Sequence, residues 1–119
     1  MGASFKELLA WQRAMELARE IYKLSGRFPD TERFGLISQM RRAAVSVPSN
    51  IAEGYARSST GEYIQFLGHA RGSCAELETQ ILLAKDLGFT NEEDSKSATD
   101  MCSETGKLVH RLIKSLRQT

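Results

Sequence analysis

The chain has 119 residues, a formal net charge of +1, 41% hydrophobic and 26% charged residues. That length suits one domain, residues 1–119, able to bury a core without disulfide or metal staples. The near-neutral total excludes a strong overall pull toward nucleic acid or anionic lipid, and no apolar run approaches the roughly 20 residues of a membrane span, so no membrane partner is expected.

The N-terminal "MGASFKELLAWQRAM" lacks a continuous apolar stretch, which argues against a signal peptide. Lys6 stands where myristoylation of Gly2 would want Ser or Thr. Cys74 and Cys102 show no CxxC spacing and sit at apolar helical positions. They read as two buried thiols in a reducing cytoplasm, not as a zinc site or a disulfide.

Residues 5–25 carry the first helical pattern. Ser4 and Glu7 have capping-box spacing, and Gly26 followed by Pro29 ends the segment. Trp11, Met15, Ala18 and Tyr22 recur at helical steps beside a second row of Ala14, Leu17, Ile21 and Leu24. The second helix is expected over about 31–57, with an apolar row of Ile37, Met40, Ala44, Val47, Ile51 and Tyr55. Pro48 lies inside it. A proline removes one N–H and clashes with the carbonyl four residues earlier, so this helix is expected to continue with a kink, rather than to break near Val47. Ser46 and Ser49 are placed to satisfy the freed backbone groups.

The third helix is expected over about 60–87. Ser59 and Glu62 have capping-box spacing, and Gly88 takes the usual C-terminal position. Its row is Tyr63, Phe66, Ala70, Cys74, Leu77, Ile81 and Ala84. Gly68 and Gly72, one turn apart, cost on the order of 1 kcal/mol each against alanine, which suggests a tight helix crossing or an oligomer contact. The fourth helix, about 91–117, is expected to start at Thr90 with Glu93 as its capping partner. Its acidic first turn and basic last turns match the helix dipole. Its row is Ala98, Met101, Thr105, Leu108, Leu112 and Leu116. The pattern predicts an all-α, antiparallel up-down-up-down four-helix bundle.

The chemistry-bearing residues gather on two stripes. Arg42, Ser46, Asn50, Glu53 and Arg57 lie four, four, three and four residues apart on the second helix. His69, Ser73, Glu76 and Gln80 repeat that spacing on the third. Arg41, Arg42 and Arg57 are candidate phosphate contacts for RNA or DNA. Arg42, Ser46, Asn50, Glu53, His69, Ser73 and Glu76 read better as structural or interface polar positions, with Arg41 the arginine expected to face a ligand. The alternative is a small hydrolytic or nucleotide-using enzyme with Glu53, His69 or Glu76 in its site. The chain contains no phosphate-binding loop, metal-ligand spacing or nucleophile elbow. No cofactor is therefore expected, and the non-enzymatic reading is preferred. Charge is uneven: residues 38–57 hold three arginines and one glutamate, and residues 58–89 hold two basic and four acidic residues.

The stretches "LLAWQRAMEL", "FGLISQMRRAAVSVPSNIAEGYAR" and "EYIQFLGHARGSCAELETQILLAKDLGF" resemble the bacterial four-helix-bundle family known as the ribosomal RNA intervening-sequence proteins. Matching positions are Trp11, Gln12, Gln39, Arg41, Arg42, Pro48, Asn50, Glu53, Gly54, Gly72, Ser73 and Glu76. The resemblance implies a left-handed bundle that assembles as a homopentamer, with no catalytic role for these positions. A distantly similar branch is the accessory variability protein of diversity-generating retroelements, a basic pentamer that binds nucleic acid and a reverse transcriptase. This chain departs from that branch in being nearly neutral.

Overall fold

The structure, a computed structural model, describes residues 4–118; the reading at Gly2 lies outside them. Four helices form a bundle: α1 (Leu9–Ser25), α2 (Leu36–Tyr55), α3 (Thr60–Asp86) and α4 (Glu92–Arg117). There is no strand among the described residues. Two short 3-10 turns, Phe5–Glu7 and Asp30–Glu32, precede α1 and α2. The bundle measures 46 × 22 × 21 Å.

The first two helices start later than expected. Ser4 and Glu7 do form a capping box, but it closes the Phe5–Glu7 turn, and Leu8 is extended before α1 begins. A capping box satisfies the orphan N–H groups of any helical turn, so its presence does not say how far the helix continues. The turn is tied to α1 by Gln12 Nε2, which donates to the Lys6 carbonyl at 3.0 Å. Before α2, Gly35 interrupts the helical backbone, with φ −111° and ψ −111°.

α2 runs unbroken through Pro48. Ser46 is not spent on the backbone freed by the proline; its hydroxyl turns to Ser73 and Asn50.

α3 starts and stops on local signals. Ser59 Oγ accepts from the Glu62 N–H at 3.1 Å. At the other end Gly88 adopts φ +79°, its N–H donates to the Lys85 carbonyl, and the Phe89 N–H donates to Ala84. That 5→2 and 6→1 pair is a Schellman cap, which needs the left-handed residue glycine supplies. Phe89 then packs against Phe28, ring centroids 5.8 Å apart. The α4 cap is Asn91 instead of the expected Thr90, with Asn91 Oδ1 accepting from the Asp94 N–H at 2.7 Å.

The core has two layers. One joins Leu17, Ile21 and Leu24 of α1 to Met40, Leu77, Ile81 and Cys102. The other joins Ala10 and Ala14 to Val47, Ile51, Leu67, Val109 and Ile113. Burial of each large aliphatic side chain stabilises the fold by roughly 1.5–3 kcal/mol. In α4 the buried row is Ser95, Ala98, Cys102, Thr105, Val109 and Ile113. Leu108, Leu112 and Leu116, expected in the row, pack at its flank. In α1 the inner row is the expected one through Ala14, while Tyr22 of the outer row is exposed.

Candidate functional site

α2 and α3 make the most extensive helix contact of the bundle, and it carries the polar stripes. Ser46 Oγ and Ser73 Oγ lie 2.8 Å apart. Asn50 Nδ2 donates to both the Ser46 carbonyl and Ser46 Oγ at 2.8 Å. Ser46, Asn50 and Ser73 are half-buried, so their polar atoms need partners, and these three supply one another. The seam continues toward Gly54. A Cβ there would sit 2.8 Å from Phe66 Cβ and 3.1 Å from Tyr63 Cδ1. Here the close approach of α3 requires glycine.

The rest of the α2 stripe faces outward. Glu53 Oε2 and Arg57 Nη2 form an exposed ion pair at 2.8 Å. The Arg57 guanidinium lies over the Phe66 ring, 4.6 Å from its centroid, and His69 meets the same ring edge-on at 6.0 Å. Glu76 accepts from Gln80 Nε2 at 3.2 Å, while Gln80 Oε1 is buried without a partner. Glu53, His69 and Glu76, the residues of the enzymatic alternative, thus each engage a different neighbour. No cluster of His, Cys, Asp or Glu suited to a metal occurs among the described residues.

The two adjacent arginines differ in their surroundings within the chain. Arg41 Nε donates to Ser25 Oγ at 2.9 Å and Nη2 to the Tyr22 carbonyl at 3.1 Å. Its guanidinium also covers the Tyr22 ring at 4.5 Å. Arg41 therefore docks on the last turn of α1, at the negative end of the helix dipole, and adds a second donor to the Tyr22 carbonyl, which also accepts from the Gly26 N–H at 3.1 Å. Arg42 is exposed and forms no hydrogen bond or ion pair among the described residues. It is Arg42 that has a free guanidinium.

Arg42 borders a groove that the sequence pattern did not single out. An open cleft of about 500 Å³ between α1 and α2 is lined by Tyr22, Phe34, Ile37, Val45 and the arginines 33, 41 and 42. Phe34 is 90% exposed, and Arg33 lies 5.9 Å from its ring centroid while pairing with Asp30. "RFG" at the helix start gave the only hint, an aromatic beside a charge at a break in the pattern.

Gly68 and Gly72 meet nothing within 4 Å of an added Cβ. They lie on open helix surface, so no crossing inside this chain accounts for them. The thiols are both free and buried. Burial, aided by Glu78, pushes Cys74 up to about 11. Burial, then Cys74 and Glu78, raises Cys102 as well. Tyr63 is raised by burial and by Tyr55.

A family model described as 23S rRNA-intervening sequence protein matches residues 6–111. The fold is similar to the crystal structure of a protein of unknown function from the S23 ribosomal protein family of Bacteroides thetaiotaomicron, with a TM-score of 0.80. The two are 24% identical over 89% of this chain and 99% of that one. No curated protein matches the chain. No helix among the described residues is long and apolar enough to cross a membrane.

Proposed function

The chain belongs to the 23S rRNA-intervening sequence protein family, and from that premise we propose that it is a non-enzymatic helical bundle that works as an assembly, a homopentamer as its resemblance implies. The supporting observation is the exposure of large apolar side chains at Tyr22, Phe34 and Val45 on one side, and at Leu82, Leu83 and Leu87 on another. Contiguous exposed apolar surface beside charged groups favours macromolecular contact. The polar stripes support the same reading, because their groups other than Arg42 bond to a neighbour or meet an aromatic ring instead of converging on a reacting atom.

Light scattering tests it: a mass several times the 13.3 kDa of one chain is expected, and a stable monomer at micromolar concentration would sink the assembly. A thermal-shift screen with nucleotides and divalent metals should give no response. A reproducible shift would reopen the enzymatic alternative.

The free guanidinium of Arg42 favours a second reading, an RNA or DNA partner held through phosphate. Affinity should then fall steeply with salt, and Arg42→Ala should weaken it without loss of stability. Arg41 and Arg57 are less suited to that role, being engaged with Tyr22 and Ser25 and with Glu53.

A further inference from the structure

Seven large apolar side chains are exposed among the described residues, and six of them fall in two patches. Tyr22, Phe34 and Val45 line the α1–α2 groove. Leu82, Leu83 and Leu87 crown the last turns of α3, two of them adjacent and the third one turn beyond Leu83. The charges around the two patches have opposite sign. Arginines 33, 41 and 42 rim the groove; Arg33 is paired with Asp30 and Arg41 is bonded to Ser25 and the Tyr22 carbonyl, so the charge free to meet a neighbour is that of Arg42. On the α3 ridge Asp86 lies one turn after Leu82, exposed and without a hydrogen bond or salt bridge, and Glu78 lies one turn before it. Lys85, the basic residue of this turn, is already paired with Glu92 of α4.

An open apolar groove bordered by an unpaired arginine and an exposed row of leucines bordered by an unpaired aspartate are alike in their apolar character and complementary in charge. We infer that they are the two halves of one contact: the α1–α2 groove around Phe34 receives the C-terminal ridge of α3 from a second copy of this chain. The inference rests on the assembly proposed above and names its surfaces. Phe34 enters between the leucines of the ridge, and Arg42 meets Asp86. Because groove and ridge are different surfaces of one molecule, the contact is heterologous. Each copy gives a ridge to one neighbour and a groove to the other, so repetition closes a ring or propagates. Exposed Leu82, Leu83 and Leu87 thereby leave water, as does Phe34, the most exposed of the seven.

The contact is tested by sedimentation of Phe34→Glu, which spoils the groove, and Leu83→Glu, which spoils the ridge. Both side chains lie outside the core, and circular dichroism reports that the helices persist. Each variant alone is expected to fall from the wild-type assembly to the 13.3 kDa monomer. An equimolar mixture, followed over a concentration series, should form a one-to-one heterodimer, because the first retains a ridge and the second a groove. Arg42→Glu and Asp86→Arg give an independent arm, each weakening assembly and the two in one chain restoring it. Retention of wild-type size by either acidic variant overturns the inference, as does a mixture that stays monomeric. If the wild type assembles and both variants are unaffected, only this pairing fails. If the wild type is itself monomeric, the proposed assembly fails with it.

Discussion

Ser46 and Ser73 share a hydrogen bond across the α2–α3 contact, their Oγ atoms 2.8 Å apart, and Asn50 donates into the same pair. Each hydroxyl is half-buried, so removing one leaves the other short of a partner. Ser46→Ala and Ser73→Ala should each cost about 1 kcal/mol, typical of an intramolecular hydrogen bond. The double substitution should cost less than the sum, since the two act as one unit. Urea titration of the four chains checks this, and strict additivity would show the pair to be uncoupled.

The glycines of α2 and α3 should respond in opposite directions. Gly54→Ala drives a Cβ against Phe66 Cβ at 2.8 Å. That atom is held by its own helix and has no flexible end to yield, so a loss of roughly 1–3 kcal/mol is expected from overpacking. Gly68→Ala and Gly72→Ala add a methyl to open surface and remove backbone freedom from the unfolded chain. Each should stabilise the isolated chain by about 0.5–1 kcal/mol. Thermal unfolding at low protein concentration separates these effects from any contact between copies.

Arg41 and Arg42 differ more than neighbours usually do. Arg41→Ala removes the bonds to Ser25 and the Tyr22 carbonyl and the cover over the Tyr22 ring. A loss of about 1–2 kcal/mol is expected, combining a charged hydrogen bond with a half-exposed cation–π contact. Arg41→Lys should recover only part of it, because an ammonium cannot reproduce the planar fork. Arg42→Ala in the isolated chain should stay within about 0.5 kcal/mol of wild type, as for a surface position without partners. Equal losses at the two sites by denaturant unfolding would contradict this division.

The buried thiols make stability fall in alkali. Cys74 is raised from 9.0 to about 11 by burial, with help from Glu78. In the folded chain it keeps its proton at a pH where the unfolded chain has lost it. The folded state then binds more protons, so stability declines with rising pH. The contribution is complete below about pH 9 and is lost progressively toward pH 11. Cys102 shifts in the same direction. A Cys74→Ala, Cys102→Ala chain should show a flatter pH dependence of unfolding across that window. The wild-type thiols should react slowly with an aromatic disulfide reagent until denaturant is added, because thiolate and access are both withheld.

Features that depend on a few consecutive residues were legible in the sequence. The Ser59 cap, the left-handed Gly88 and the in-phase row from Met40 to Ile51 need only local backbone geometry and helical period. The misreadings arose where local signals tie. Thr90 and Asn91 are adjacent residues, each with an acidic residue three positions on, and the loop from Gly88 decides which one caps. Leu108 and Val109 both continue the α4 row within a period of 3.6, and the rotation of α4 against α1 and α3 chose Val109 and Ile113. The Phe34 groove had no periodic signature, since its walls come from α1, the turn before α2, and α2 itself.

By itself, the sequence determined that this chain makes four helices, each with an in-phase apolar row, and two buried thiols, because helical period, caps and apolar rows are properties of each segment alone. Only the tertiary structure decided which polar residues bond to one another and which stay free. Arg41 and Arg42 are about 100° apart around the helix axis, and that rotation sends one onto the end of α1 and leaves the other in water. The same packing spends Ser46, Asn50 and Ser73 on a seam between helices and leaves Phe34 and the α3 leucines exposed. Side chains acquire those roles only when neighbouring helices fix their rotation about one another.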